Sequence, residues 1–373
     1  MNIYEKLGIR KVINGNATLT RLGGSIMPPE VVEAMVEASR AFVDIVELQK
    51  RVGEEIAKLT HNEAAYVSCG AAAALTLSTA ACITGLDSIK REKLPYLDET
   101  MKSEVIIHKH GRVGYDFAIR QVGVKLVEIG DENGTTPEEL KAAINEKTAA
   151  IFYFANPGRE WRWLSYEKGI EIAKKHGVPL IVDCAAQLPA PDNLWRFTQM
   201  GADLAMFSGG KGLNGPQSSG LTVGRKDLIE AMAFNGPPNP FIGRGMKVGK
   251  EEMVGLLAAV KRYVNLDHDK LMQSYEDGVV YFAEEFADVK GVEVRRSFPS
   301  EAGQPMPRTE IIFDEDRLGI TRNQILQQLK DGEPSIDIAG SGQNGVLING
   351  QTLMPGEEEI IAQRLKEILT DGN

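Results

Sequence analysis

The chain has 373 residues, of which 43% are hydrophobic and 25% are charged, as expected for a globular protein with a sizeable core. Its net charge is −10 and no dense block of lysine and arginine occurs, which argues against a nucleic-acid partner. The longest apolar run, residues 71–85, is too short to cross a bilayer, and the N-terminus lacks the apolar core of a signal peptide. No membrane partner is therefore expected.

The cysteines and histidines argue against a disulfide framework and against a metal site. Cys69, Cys82 and Cys184 have no CxxC spacing, and a reducing cytoplasm fits them best. His108 and His110 form an HxH pair, but no third ligand follows at metal spacing. We therefore expect no bound metal.

Residues 29–224 show alternating helical and strand patterns. A long helical pattern covers about 29–59, and a helix with His and Gly as C-terminal signals covers 165–177. Short apolar runs bounded by turn residues predict buried strands at 104–108, 149–154, 178–183, 202–208 and 220–224. This alternation predicts an α/β domain with a mainly parallel sheet.

Residues 235–250 are rich in proline and glycine and indicate a connection between two domains. The elements predicted after this connection are helices at 250–264, 268–288, 321–331 and 356–370, and strands at 292–298, 308–314, 335–340 and 345–353. They indicate a small α+β domain. We therefore predict an N-terminal segment and helix at 1–50, a large α/β domain at 51–245 and a small C-terminal domain at 246–373.

Residues that end or follow strands are functional candidates, because ligands bind beyond the carboxyl ends of the strands in such a sheet. Gly70 follows a strand-like segment and opens a helix at Ala71, where free backbone N–H groups can bind a phosphate. Asp183 ends one predicted strand and Lys211 follows another. A purely structural interpretation stays open for each: a tight turn at Gly70, a strand-end cap at Asp183 and a solvated turn at Lys211.

Lys211 lies between glycines in the segment SGGKGLNGPQSSG, residues 208–220. Because glycine has no side chain, we interpret these glycines as leaving the lysine amine room to react with a carbonyl group. The segment does not match a Walker A loop, because residue 205 is alanine and residue 212 is glycine. No GxGxxG fingerprint follows a predicted strand either, so we expect no nucleotide or dinucleotide site.

A phosphate site, a carboxylate and a reactive lysine together match the needs of pyridoxal 5′-phosphate. Lys211 would form a Schiff base with its aldehyde, and Asp183 would keep its pyridine nitrogen protonated. The helix N-terminus at Gly70 would bind its phosphate. The sequence therefore predicts pyridoxal 5′-phosphate as the cofactor.

Several segments resemble the selenocysteine synthase (SelA)-like group of fold-type I pyridoxal-phosphate enzymes. They are VINGNATLTRLGG, YVSCGAAAALTLSTAACITG, LIVDCAAQLP, MFSGGKGLNGPQSSGL and LMPGEEEII, and the likeness extends over nearly the whole chain. The segment around Lys211 is the most specific of them. The likeness is greatest to the shorter members of the group, the D-glucosaminate-6-phosphate ammonia-lyases.

This resemblance implies an aspartate-aminotransferase-like large domain, with a Schiff base at Lys211 and with Asp183 on the pyridine nitrogen. It implies a homodimer or larger oligomer with active sites at subunit interfaces. Because the chain is acidic and begins almost directly at the matching segment, we expect no tRNA partner. The residues implied at the cofactor phosphate are Ser68, Cys69, Gly70, Ala71 and Ala72.

Three further residues are candidates for contact with the cofactor ring, each with a structural alternative. His110 lies about where this fold places a ring that stacks on the pyridine face, and a surface turn is the alternative. Ser208 is a candidate hydrogen-bond partner of the cofactor or a strand-end cap. Gln187 is a candidate partner of the ring oxygen or a turn cap.

Arginines are candidates for anion binding. Arg244, with Lys247 close by, can bind an anion such as the cofactor phosphate of a neighbouring subunit, and an exposed linker is the alternative. Arg308 resembles the arginine that binds the substrate carboxylate in this fold. Arg21 is a candidate for binding a substrate phosphate.

The predicted reaction is ammonia release from a small amino acid by β-elimination, and a phosphorylated substrate also fits. The amine of Lys211 takes the α-proton, a β-hydroxyl leaves as water, and hydrolysis gives a 2-keto acid and ammonia. A racemase or an aldolase would use the same cofactor and residues. A selenocysteine synthase-like transferase and a non-enzymatic protein with the same fold are two further hypotheses.

Overall fold

The computed structural model describes residues 2–158 and 160–370 of the chain; Met1, Arg159 and residues 371–373 lie outside the description. Its strands, in chain order, are β1 Val12–Asn14, β2 Ala64–Ser68, β3 Glu104–His108, β4 Lys125–Ile129, β5 Thr148–Phe154, β6 Leu180–Asp183, β7 Leu204–Ser208, β8 Gly220–Gly224, β9 Val292–Ser297, β10 Arg308–Phe313, β11 Ser335–Asp337, β12 Ala339–Ser341 and β13 Gly345–Ile348.

The α-helices, in chain order, are α1 Ile3–Lys6, α2 Pro29–Ala38, α3 Ile45–Leu59, α4 Ala71–Thr84, α5 Ser88–Lys93, α6 Phe117–Arg120, α7 Pro137–Ala143, α8 Tyr166–His176, α9 Asn193–Met200, α10 Lys226–Asn235, α11 Lys250–Val264, α12 His268–Glu285, α13 Glu315–Leu318, α14 Arg322–Asp331 and α15 Glu357–Thr370. Short 3₁₀ turns also occur, and those at Lys109–Gly111 and Glu160–Arg162 lie near the site described below. None of the helices in the described residues is long and apolar enough to cross a membrane.

The described chain forms two compact units, which differ from the predicted domain boundaries. Residues 26–266 form the large unit, and residues 2–25 with 267–370 form the small unit. Helix α11, predicted in the small domain, packs on α2 and α3 of the large unit. The first residues join the small unit because β1 pairs in parallel with β11. Such a pairing between distant segments leaves no local sequence pattern.

The large unit contains a sheet in the order β2-β8-β7-β6-β5-β3-β4. Strand β8 is antiparallel to both neighbours, and the other adjacent pairs are parallel. Strand residues alternate between two cores, so Phe207 packs with α3, α8 and α9 on one face and Met206 packs with α4 and α10 on the other. The predicted α/β class with a mainly parallel sheet is confirmed.

Most predicted elements match the structure, but the long helix at 29–59 was wrong in its middle. Helix α2 ends at Ala38 and α3 begins at Ile45. The break is fixed by Asp44, whose carboxylate accepts hydrogen bonds from the Val46 and Glu47 N–H groups at 2.9 Å. An aspartate satisfies the unpaired donors of a helix start, so it ends one helical segment and begins the next.

The small unit has an antiparallel sheet in the order β12-β13-β10-β9. Phe282 of α12, Ile325 of α14 and Ile361 of α15 pack with its strands in one buried core. The unit is therefore of the predicted α+β type.

Gly220 begins β8 where β2 and β7 end, and pairs with both Ser68 and Ser208. A Cβ atom at Gly220 would lie 2.5 Å from the carbonyl carbon of Gly70 and 2.7 Å from Ser68 Oγ. These atoms belong to backbone and to a buried side chain, so they cannot move aside cheaply. The close approach of the Gly70 loop to β8 therefore requires glycine at position 220.

We predict that Gly220→Ala lowers the free energy of unfolding by about 1–3 kcal/mol, because the added methyl group overpacks this contact. Urea denaturation of the purified protein measures the change. Gly114→Ala is the matched control, since a Cβ at Gly114 has no neighbour within 4 Å. Equal stability of the two variants would contradict the close-contact explanation.

Candidate active site

The sheet register brings the predicted site residues of the large unit to one edge. Ser68 and Ser208 end parallel strands on either side of Gly220. Asp183 ends β6, pairs with Phe154 of β5 and lies beside Met206 of β7. The residues that follow β2, β6 and β7 therefore share the carboxyl edge, as the strand-end rule predicted.

The segment before α4 is an open backbone cradle. Gly70 has φ +125°, and no atom lies within 4 Å of the position that its Cβ would take. Ala71 is half-buried and Ala72 is exposed, so the helix start is accessible. No side chain caps the helix and no acidic residue lies in its first turn. The uncapped N–H groups and the helix dipole therefore favour an anion here.

Ser68 and Cys69 support this cradle in different ways. The Ser68 hydroxyl is buried and donates to the Gly70 carbonyl at 2.9 Å, so it holds the loop from behind rather than facing a ligand. Cys69 is half-buried, and burial raises the pKa of its thiol, which therefore stays protonated near neutral pH. A direct phosphate contact is thus better supplied by the backbone from Gly70 to Ala72.

Asp183 is a buried carboxylate with few partners. Burial raises its pKa from 3.8 to about 6, while the Ala185 N–H and the charge of Lys211 act in the opposite direction. The Ala185 N–H donates to Asp183 Oδ1 at 2.9 Å. A carboxylate held in this way gains from a cation placed beside it, because that cation offsets the desolvation cost.

Lys211 lies in the turn after β7 and is half-buried. The glycines around it serve a different purpose from the one predicted. A Cβ at Gly210 would lie 2.5 Å from Gln217 Cα, and one at Gly212 would lie 2.6 Å from Leu188 Cβ. The glycines therefore let the turn pack against the protein itself, and they do not clear space for a ligand.

Ser208 and Gln187 hold neighbouring loops. The Ser208 N–H donates to the Ala185 carbonyl at 3.4 Å, which ties the ends of β6 and β7 together. The Gln187 amide is buried and donates to the Ala155 carbonyl at 2.9 Å, which ties the loop after β6 to the end of β5. For Gln187, this geometry favours the structural alternative.

His110 follows β3 and is half-buried at the same edge, and both of its ring nitrogens have partners. Nε2 lies 2.6 Å from the Asp131 carbonyl oxygen, and Nδ1 lies 3.4 Å from Arg162 Nη1. A carbonyl only accepts and a guanidinium only donates, so Nε2 carries the hydrogen and Nδ1 has a lone pair. Because both ring nitrogens are occupied by protein partners, the ring suits packing against a ligand better than proton transfer.

His108 does not share the surroundings of His110. It is buried, Nδ1 lies 2.9 Å from Thr135 Oγ1, and its ring meets Tyr153 edge-on at 4.5 Å. Burial lowers its pKa to about 4. His108 is thus a neutral core residue beneath the edge. In the described part of the chain, no group of three or more His, Cys, Asp or Glu side chains could hold a metal ion.

Arg244 is not brought to this edge in the single chain. It is exposed and lines, with Lys247, a cavity of about 780 Å³. That cavity also contacts Ala64 and Ala65, at the opposite end of β2 from Gly70, and Tyr66 in the middle of the strand. A role at the active site of the same chain is therefore not supported.

Arg21 and Arg308 belong to the small unit and both have acidic partners. Arg21 forms a two-pronged ion pair with Asp337 at 2.7 and 2.9 Å. Arg308 is buried, contacts Glu301 at 3.1 Å and has a buried Nε without a partner in the described structure. Their proposed contacts with substrate stay predictions.

The family model for SelA, L-seryl-tRNA selenium transferase, matches residues 12–275. The chain belongs to the SelA family. The resemblance seen in the sequence is confirmed. Sequence comparison gives 34% identity to D-glucosaminate-6-phosphate ammonia lyase from Salmonella typhimurium, over 98% of each chain. It gives 30% identity to 5′-C-glycyluridine monooxygenase-decarboxylase from a Streptomyces species, over 99% of this chain and 92% of the other.

The fold of this SelA-family chain matches a solved relative along its full length. The structure of D-glucosaminate-6-phosphate ammonia-lyase superposes with a TM-score of 0.86 and 32% identity, over 100% of this chain and 99% of the other. The aspartate-aminotransferase-like fold expected from the resemblance is thereby confirmed.

We predict that Asp183→Asn stabilises the cofactor-free protein above pH 6 and leaves its stability unchanged below pH 4. The folded pKa of about 6 exceeds the ordinary 3.8, so the folded state holds the proton more tightly and loses stability as pH rises between these values. The ionisation cost at pH 8 is about 3 kcal/mol. Asparagine keeps the acceptor for Ala185 without the charge.

Urea denaturation at pH 4 and at pH 8 measures this difference. Asp203→Asn is a comparison variant in which a carboxylate paired with Arg225 is lost. That variant should not gain stability at pH 8, because its charge is compensated. A gain for Asp183→Asn of equal size at both pH values would contradict the buried-charge explanation.

Proposed function

We propose that this chain is a pyridoxal-phosphate-dependent ammonia-lyase acting on a phosphorylated amino-sugar acid such as D-glucosaminate 6-phosphate. The observation that carries the proposal is the shared sheet edge of the Gly70 cradle, the buried Asp183 and the Lys211 turn. The full-length identity of 34% to an ammonia-lyase of that substrate supports the reaction type.

The residues at this edge fit the cofactor. The uncapped start of α4 and the open Gly70 backbone suit its phosphate. The desolvated Asp183 suits a protonated ring nitrogen, because a cation there offsets the cost of the buried charge. Lys211, half-buried and close enough to influence Asp183, suits covalent attachment to an aldehyde.

When bound, pyridoxal 5′-phosphate supplies an electron sink for a carbanion formed beside an amino group. The chain's own residues then have separate tasks. Asp183 holds a proton at the ring nitrogen, and the Lys211 Nζ removes the proton from the substrate α-carbon. The His110 ring would pack against the ligand, since both of its nitrogens already have protein partners.

The net reaction balances without a further reactant. The substrate loses its α-proton and β-hydroxyl as water, and one water is regained when the nitrogen leaves as ammonia. The carbon product is a 2-keto acid. No oxidant is needed, which separates this reaction from that named for the monooxygenase-decarboxylase relative.

We predict ammonia and 2-keto acid release from D-glucosaminate 6-phosphate in a panel of D- and L-amino acids. Lys211→Ala should lose covalent cofactor attachment and nearly all release, because its side chain provides both the attachment and the base. Lys226→Ala is the control, since Lys226 is exposed on α10. Absorbance of the bound cofactor and product assays measure the two effects.

The panel also separates the proposed reaction from its rivals. Normal release by Lys211→Ala would contradict the assigned role. No release, but α-proton exchange with solvent on another amino acid, would assign the chain to the racemase or aldolase class. The SelA family model itself favours testing seryl-tRNA as well. The net charge of −10 argues against that substrate.

We also propose that the chain forms a homodimer or larger oligomer. Apolar side chains are exposed in the loop between α2 and α3 and in the first turn of α3. Phe42 is fully exposed, Val43 is 52% exposed and Val46, in α3, is 58% exposed. Contiguous exposed apolar surface is typical of a protein interface. Arg244 lines a cavity with Ala64 and Ala65, away from the Gly70 end of β2, and we propose that it acts across that interface. Light scattering in solution tests this, and a monomeric mass would contradict it.

A cytoplasmic location is the further proposal. Cys69, Cys82 and Cys184 are all unpaired thiols. Free buried thiols are typical of proteins that stay in a reducing compartment. Fractionation of cells that express the protein tests this location.

A further inference from the structure

Arg162 is an arginine of the large unit that has no acidic partner among the described residues. It ends the 3₁₀ turn Glu160–Arg162, in the loop that follows β5. Its contacts there are His110 Nδ1 at 3.4 Å and the Trp161 ring, whose centre lies 4.4 Å from the guanidinium carbon. Its Nε is buried and has no hydrogen-bond partner in the described chain.

Nearby acidic groups are used elsewhere. Glu160 Oε1 accepts the Tyr166 hydroxyl at 2.9 Å. Asp131 Oδ1 accepts the Asn133 N–H at 2.8 Å, and the Asp131 carbonyl is the group that faces His110. A guanidinium carries five donors and one charge, and leaving them unmatched at a half-buried position is costly. Arg162 therefore forms no ion pair with a carboxylate in the described part of the chain.

The position of Arg162 connects this charge to the candidate active site. Strand β5 lies between β6, which ends at Asp183, and β3, which leads to His110. The loops after β5 and β3 thus leave the same carboxyl edge as the Asp183 strand. The contact with His110 ties Arg162 to that edge directly.

We propose that Arg162 binds an oxyanion group of the substrate, its carboxylate or its phosphate, beside His110. The inference rests on the proposed function and adds a residue that would recognise a charged group of the substrate. A planar guanidinium binds carboxylate and phosphate with paired hydrogen bonds. Trp161 packs on the guanidinium, an arrangement that leaves the edge donors available. Arg162 was not among the sequence candidates.

Three probes without an amine test the proposal by calorimetric binding to the cofactor-loaded protein. Gluconate 6-phosphate carries both anions, gluconate only the carboxylate and glucitol 6-phosphate only the phosphate. Arg162→Gln should bind gluconate 6-phosphate about tenfold to hundredfold more weakly, because charge-assisted hydrogen bonds are lost. A selective loss for gluconate identifies the carboxylate, and a selective loss for glucitol 6-phosphate identifies the phosphate.

Control variants separate binding from folding. Lys175→Gln removes one positive charge in the last turn of α8, where Lys175 is exposed, and should bind like the wild type. Arg162→Lys keeps the charge without the paired geometry and should lose less affinity than Arg162→Gln. Unchanged cofactor absorbance and thermal unfolding midpoint in both Arg162 variants exclude a folding defect as the cause.

The outcomes separate the two proposals. Equal binding of every probe by wild type and Arg162→Gln would overturn the inference, including the case in which neither binds any probe. Tight gluconate 6-phosphate binding that does not depend on Arg162 would leave the proposed function in place. Arg162-dependent binding of gluconate or glucitol 6-phosphate, without affinity for gluconate 6-phosphate, would support Arg162 and contradict the proposed substrate.

Discussion

The buried carboxylate of Asp183, at the end of a central strand, is the feature around which the edge is organised. Its strand β6 lies inside the sheet between β5 and β7, and its side chain is buried. The protein gives it one backbone donor, the Ala185 N–H, and the positive charge of Lys211. A ligand cation would offset the cost of keeping this charge buried. Part of the free energy of cofactor binding would therefore come from relieving an unfavourable charge in the cofactor-free protein.

The loops around this carboxylate are held by close contacts that leave almost no room for larger side chains. Gly220 touches the Gly70 backbone, and Gly212 touches Leu188. Ser68 and Gln187 use their polar groups on backbone carbonyls of neighbouring loops. Residues predicted as ligand contacts thus hold other residues in place. Precise loop placement is what positions a lysine, a carboxylate and a helix start for one ligand.

The sequence was informative about residues whose position depends only on the direction of a strand. Apolar runs located β3 and β5 to β8, and the strand-end rule then selected Gly70, Asp183 and Lys211 without knowledge of the packing. It could not show the parallel pairing of β1 with β11, because the partners are far apart in the chain. From the sequence, the glycines beside Lys211 were interpreted as making room for a ligand. Their close packing against Leu188 could not be seen, because such packing has no local sequence signal.

His110 and Arg162 show the same limit in the site. The tautomer of His110 depends on a carbonyl at Asp131 and on a guanidinium beyond β5, and neither is adjacent in sequence. Arg162 could have been found by applying the strand-end rule to β5, because it follows that strand as Lys211 follows β7.

The antiparallel strand β8 has a consequence for how this fold can vary. The connection from β7 to β8, residues 209–219, carries Lys211 and returns the chain so that Gly220 rests against the Gly70 loop. One continuous segment therefore sets the separation between the lysine and the helix start. A ligand that contacts both Lys211 and the start of α4 must match this separation, so the size of the ligand constrains the length of the segment. Insertions are easier to accommodate in loops that touch only one end.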